Sequence, residues 1–171
     1  MRAFVHAAAA VTIACCPLST VSADPGNRLI DYAAFEREVV AAGKLRAQRR
    51  VDEARFLRMA AEPGTVVLDA RSRERYAELH VRGAKNLPFP DVTEAELAAL
   101  LPAKTTRVLI YCNNNFEGEP VAFATKAPAA SLNVHTYTTL TAYGYTNVWE
   151  LGPLVDVRTT RIPLEGTRAH R

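Results

Sequence analysis

Short β-rich runs alternate along this chain with segments whose apolar residues recur at helical spacing, and that alternation restricts the possible folds more than any single motif. Thr65-Val66-Val67-Leu68 is one strand, and Val108-Leu109-Ile110-Tyr111 is a second whose continuous apolar character predicts burial. Lys85-Asn86-Leu87 reads as a short extended piece closed by Pro88 and Pro90, and Val148 to Leu151 as a last strand. Between them lie the helical segments. Asp31 to about Ala42 has Tyr32, Phe35, Val39 and Ala42 in step, with acidic residues early and Lys44, Arg46, Arg49 and Arg50 late, as the helix dipole favours. That basic group is read as a solvated helix end rather than a binding patch. Asp52 is placed to cap a short helix that Pro63-Gly64 stops, and Ser72 to cap a turn through Tyr76 and Leu79. Thr93 and Glu96 have capping-box spacing, which predicts a helix over 94–101 ended by Pro102. Ser131 to Tyr143 is a further helix, with Gly144 placed as its C-cap. Strands alternating with helices predict an α/β fold with a parallel sheet. No periodicity is visible in the tail from Gly152 to Arg171.

The first 23 residues read as a secretory signal. Arg2 is their only charge, Ala7 to Cys16 is apolar, and Val21-Ser22-Ala23 makes a small-residue cleavage site before Asp24. The stretch is too short to span a bilayer as a stable helix, so a periplasmic or secreted location is expected, with no transmembrane segment. Cleavage would leave 148 of the 171 residues, enough for one domain with its own core. It would also remove Cys15 and Cys16, leaving Cys112 alone and excluding an internal disulfide. With Arg2 gone the balance is 20 basic to 18 acidic residues, too even to imply nucleic acid or an anionic membrane as partner.

Cys112 follows the Val108–Tyr111 strand directly and precedes Asn113-Asn114-Asn115-Phe116-Glu117-Gly118. A strand that stops at a lone thiol before a turn-prone loop is one way to present a nucleophile. The other reading is a buried strand-end thiol packed as a small hydrophobe. The Asn/Gly loop can adopt positive φ and turn its N–H groups inward as an anion cradle, or it is an ordinary turn. Phe116 is either a lid on the sulfur or a core plug. His80 is expected to be a hydrogen-bonded scaffold residue, and His135 and His170 lack partners at zinc spacing, so neither metal nor cofactor is expected.

Four pieces occur in the order found in the rhodanese-like domain family: Leu68-Asp69-Ala70-Arg71; Tyr76 with His80-Val81-Arg82-Gly83-Ala84 and Asn86-Leu87-Pro88; Val108 to Cys112; and Leu140, Gly144-Tyr145, Val148 and Leu151-Gly152. Over 50–152 the chain resembles that family. The resemblance implies a five-stranded parallel sheet flanked by helices in a single domain. It also implies that Cys112 takes sulfur from a donor as a persulfide and passes it to a thiol acceptor. Asn113, Asn114, Asn115, Phe116, Glu117 and Gly118 would then be the substrate or anion loop, with Asp69 and Arg71 tying the strand end to a neighbouring loop or lining the pocket. The domain reading is a signal over 1–23, a helical extension over 24–49, the rhodanese-like domain over 50–152 and a C-terminal tail over 153–171.

The chain departs from the family in its loop, which has no basic residue before Lys126 and carries Glu117 and Glu119. Carboxylates near the sulfur would disfavour a thiolate and repel thiosulfate, so an uncharged or protein-borne partner is expected. The long segment after Cys112 also predicts that no helix N-terminus points at the sulfur. Phosphatase chemistry would want an Arg near position 118 to clamp an oxyanion, and Gly118 stands there. The remaining alternative is a noncatalytic rhodanese-like module that binds a protein through this loop.

Overall fold

Each of the first four helices begins at a side chain that caps it. Asp31, Asp52, Ser72 and Thr93 accept hydrogen bonds from the N–H groups of Ala34, Arg55, Arg75 and Glu96, satisfying donors that a helix start leaves open. The computed structural model describes residues 26–169; the signal reading, with Cys15 and Cys16, and His170 lie outside them. The helices are α1 (Tyr32–Arg46), α2 (Glu53–Ala60), α3 (Arg73–Glu78), α4 (Glu94–Leu100) and α5 (Leu132–Ala142). The strands are β1 (Arg50–Val51), β2 (Thr65–Asp69), β3 (His80–Val81), β4 (Lys85–Asn86), β5 (Arg107–Tyr111), β6 (Phe116–Glu117), β7 (Val148–Leu151), β8 (Val155–Asp156) and β9 (Leu164–Glu165). Among the described residues no helix is long and apolar enough to cross a membrane.

Five strands form one parallel sheet in the order β1-β7-β5-β2-β4. Alternation along β5 builds a core on each face. Leu109 and Tyr111 pack with Phe56, Met59 and Phe116, while Val108 and Ile110 pack with Leu97, Tyr137, Leu140 and Tyr145. After β4 at the sheet edge the chain returns to the other side of β2 to form β5. The β2–β5 crevice is therefore a point where strand order reverses, the usual place for a ligand in an open α/β sheet.

The ends of the chain differ from their sequence reading. α1 runs through Gly43 to Arg46 and packs on α5, with Ala42 in the core. Its basic end is not merely solvated. Glu150, with its side chain 1% exposed on β7, pairs with Arg46 at 2.7 Å and Arg50 at 2.8 Å. Two cations from either side of the α1–β1 junction thus compensate a carboxylate inside the sheet. The residues after Gly152 also join the domain: β8 pairs with β6, β9 pairs with β3, and Ile162 is buried in the same core as Leu109. His80 is held between the Tyr76 carbonyl and Glu165 and stacks on the Tyr76 ring.

Asp69 and Arg71 form the most enclosed ion pair, 0% and 3% exposed. Arg71 Nη2 lies 2.5 Å from Asp69 Oδ2 and donates to the Leu79 carbonyl, while Nη1 donates to the Ala122 carbonyl. The Tyr111 hydroxyl donates to Asp69 Oδ2 at 2.5 Å and accepts from the Val81 N–H at 3.0 Å. Burial, and then the Asp69 carboxylate, push this phenol well above its ordinary pKa, so it remains a donor. Tyr111→Phe strands the Val81 N–H and removes one bond to Asp69. Urea denaturation is expected to show a loss of about 2–3 kcal/mol with unchanged slope.

Candidate functional site

Cys112 continues the extended backbone of β5, with φ −145° and ψ −175°. Side chains alternate along a strand, so its sulfur points to the same face as Val108 and Ile110, the face covered by α5. There it meets Ser131, the residue that starts α5, with Sγ 3.4 Å from Ser131 Oγ. A helix start therefore does reach the sulfur, contrary to the expectation from chain length. The 18 residues between Cys112 and Ser131 fold out and return. The Ser131 hydroxyl makes no capping bond to its own helix. Ser131 was legible as a helix start, but its place beside Cys112 had no signal in the sequence.

The three asparagines work through their side chains. Residues 113–115 form one turn of 3-10 helix, no residue other than glycine among the described residues has positive φ, and the Cys112 side chain stands in a capping-box relation to the Asn115 N–H. Asn113 Nδ2 donates to the Ala124 carbonyl. Asn114 clasps Lys126 at two points, donating to its carbonyl at 2.8 Å and accepting from its N–H at 3.0 Å. Asn115 Oδ1 accepts from the Cys112 N–H and from Asn133 Nδ2, each at 2.9 Å, while its Nδ2 donates to the Leu151 and Pro153 carbonyls. The triplet thereby pins the inserted segment, α5 and the end of β7 around the cysteine. Asn133 did not stand out in the sequence, and the end of β7 was read only as a strand and part of the family pattern, not as a neighbour of the cysteine loop.

Phe116 is a core plug. It is 1% exposed, stacks on Phe123 at 4.4 Å and meets the Tyr111 ring edge-on. Gly118 turns the chain with φ +88°, and a Cβ there would come within 2.8 Å of Asp156 Oδ1. The glutamates do not face the sulfur as their spacing suggested. Glu117 is exposed on the side of Arg158, and Glu119 pairs with Arg168 at 3.1 Å. Burial raises the Glu119 carboxyl, but Arg168 and the N–H groups of Val121 and Ala122 together hold it below its ordinary range.

A cleft of about 430 Å³ opens at the β2–β5 crevice. Apolar walls come from Ala70, Phe89 and Leu132, and cations from Arg71, Arg75 and Lys126. Asn113 and Leu132, the neighbours of Cys112 and Ser131, line it, while Cys112 is 2% exposed and sits one residue behind. Neither glutamate lines it. Asp69 stays beneath the cleft, bound to Arg71. Among the described residues no group of three His, Cys, Asp or Glu side chains is placed to hold a metal ion.

Comparison with known proteins agrees with this architecture. Residues 52–152 match the family described as the rhodanese-like domain. The chain is 30% identical over 95 residues to the thiosulfate sulfurtransferase PspE of Escherichia coli (strain K12), covering 56% of this chain and 76% of that protein. The BH2092 protein from Bacillus halodurans shares the fold, with a TM-score of 0.51 and 22% identity over 80% of this chain and 91% of the other. A rhodanese from E. coli solved with anions is 25% identical, with a TM-score of 0.41, covering 60% of this chain and 98% of that one. With residues 52–152, more than half of its length, matched to that family, the chain belongs to the rhodanese-like domain family.

Proposed function

We propose that this protein is an exported sulfurtransferase in which Cys112 carries sulfur as a persulfide and passes it to a thiol acceptor. The observation that carries the proposal is the seat of Cys112: the carboxyl end of the central strand, at the strand-order reversal, with Ser131 Oγ 3.4 Å from its sulfur. The Cys112 thiolate attacks the outer sulfur of a donor such as thiosulfate. A sulfur–sulfur bond forms to Cys112, the donor's own breaks, and sulfite leaves with the electron pair. The acceptor thiolate then attacks the outer sulfur, and Cys112 departs as thiolate. A Ser131 hydroxyl donating to the sulfur would stabilise its negative charge in both steps, as would N–H groups of the 113–118 loop. Lys126 on the cleft wall supports an anionic donor, as does the likeness to a thiosulfate sulfurtransferase, whereas Arg71 and Arg75 there are already paired with Asp69 and Glu78. Export rests on the reading of the first 23 residues.

One observation favours a second reading. Cys112 is buried, and a cleft with a buried thiol behind it suits a noncatalytic binding module. Incubation with thiosulfate separates the two. The native protein is expected to gain one sulfur atom by intact mass and to transfer it to a small thiol, and Cys112→Ser to do neither. A thiol that takes up sulfur and alkylating agent only after denaturation would refute the carrier reading. Ser131→Ala is expected to keep the fold by circular dichroism and to slow alkylation at neutral pH by about 10-fold, the loss of one hydrogen bond to a charged group.

A further inference from the structure

α1 and the turn before it hold most of the exposed apolar bulk among the described residues. Seven of the nine exposed large apolar residues among the described residues fall between Leu29 and Leu45, including Tyr32, Phe35, Val39 and Val40. Tyr32, Phe35, Val39 and Val40 adjoin one another along the helix, and exposed apolar residues so grouped mark an interaction surface. The helix is not loosely attached. Its inner face packs on α5, and its end is held by the Arg46–Glu150 pair. The outer face is thus a fixed surface without a partner in the chain's own described residues.

Charge on that face selects its occupant. Glu36 and Lys44 lie four residues to either side of Val40 and line one shallow groove with it, Arg37, Ala41 and Leu45; neither Glu36 nor Lys44 has an ion-pair partner among the described residues, and nor has Arg37, one position along from Glu36. The pattern is self-complementary under a two-fold axis. An antiparallel second copy with its Val40 against this one brings each Glu36 to the Lys44 of the other, whereas a parallel copy sets like charges together. Gly43 fits the same arrangement. A glycine inside a helix costs about 1 kcal/mol relative to alanine, and nothing among the described residues lies within 4 Å of where its Cβ would stand. No contact among the described residues requires it, and the missing side chain leaves room for close approach of a second helix.

We propose that α1 pairs antiparallel with α1 of a second copy to form a two-fold homodimer, with Val40 at the axis and reciprocal Glu36–Lys44 pairs. Two helices of 15 residues, each about 22 Å long, make a contact at the small end of stable interfaces, so dissociation is expected in the micromolar range. No residue of α1 lines the cleft at the sheet end, so sulfur transfer is expected to be unchanged in the variants below.

The test is the sedimentation-velocity mass of the full chain as purified, diluted from about 200 to 1 μM, with intact mass recorded on the same sample. Wild type is expected to pass from dimer to monomer. Glu36→Lys and Lys44→Glu should each weaken the dimer by about 10-fold, and the double reversal should restore it to within about 3-fold. Circular dichroism confirms that each variant is folded. A wild type that is monomeric throughout overturns the proposal, whether phosphatidylglycerol vesicles or residues 1–25 then prove to cover the face. So does a dimer that neither reversal weakens, or one that the double reversal fails to restore.

Discussion

The buried Asp69–Arg71 pair is the constraint on which the rest of the site depends. Placing both charges out of water is costly, and the cost is offset only because the groups around them are used. Asp69 takes the Arg71 guanidinium, the Arg71 N–H and the Tyr111 hydroxyl, and Arg71 donates further to the carbonyls of Leu79 and Ala122. One guanidinium therefore joins the end of β2, the turn after α3 and the inserted segment, with the Phe123 ring against it at 4.4 Å. Through Tyr111 the same carboxylate reaches the last residue of β5. Cys112 is the next residue, so its backbone inherits that position.

From there the asparagines define the surroundings. Asn113 and Asn114 hold Ala124 and Lys126, and Asn115 ties the Cys112 N–H to α5 and to the exit of β7. The long insertion is consequently part of the wall of the cleft. Glu119 is drawn to Arg168 near the C-terminal end of the described residues, and β8 holds β6. Groups from separate parts of the chain thus meet at the cysteine and the cleft beside it: the Ser131 hydroxyl at the sulfur, and Lys126 on the cleft wall.

Local signals were reliable wherever one residue acts on its own neighbourhood. The caps at Asp52, Ser72 and Thr93, the strands at 65 and 107, and the C-cap at Gly144 with φ +82° each stand within a residue or two of their reading. Misreadings came where the partner is distant. Glu150 reads as an ordinary strand residue until Arg46 and Arg50 close on it across the sheet. The segment after Gly152 shows no period because its strands are two residues each, too short to alternate visibly. The glutamates near Cys112 were judged by sequence distance, which says nothing about the direction of a carboxylate in a folded insertion.

Periodicity and capping determine the strands and helices of a parallel α/β sheet and put Cys112 at the end of one strand. These are consequences of backbone geometry within a dozen residues, and a single sequence carries them. That this strand is the central one was decided by the strand order. The environment of the sulfur was decided only by tertiary structure. Ser131 meets Cys112 across an 18-residue excursion, the Asn side chains find carbonyls that no spacing announces, and the charges around the cleft come from β2, α3 and the insertion. Hydrogen bonds and fields act through space, and only the folded chain sets those distances.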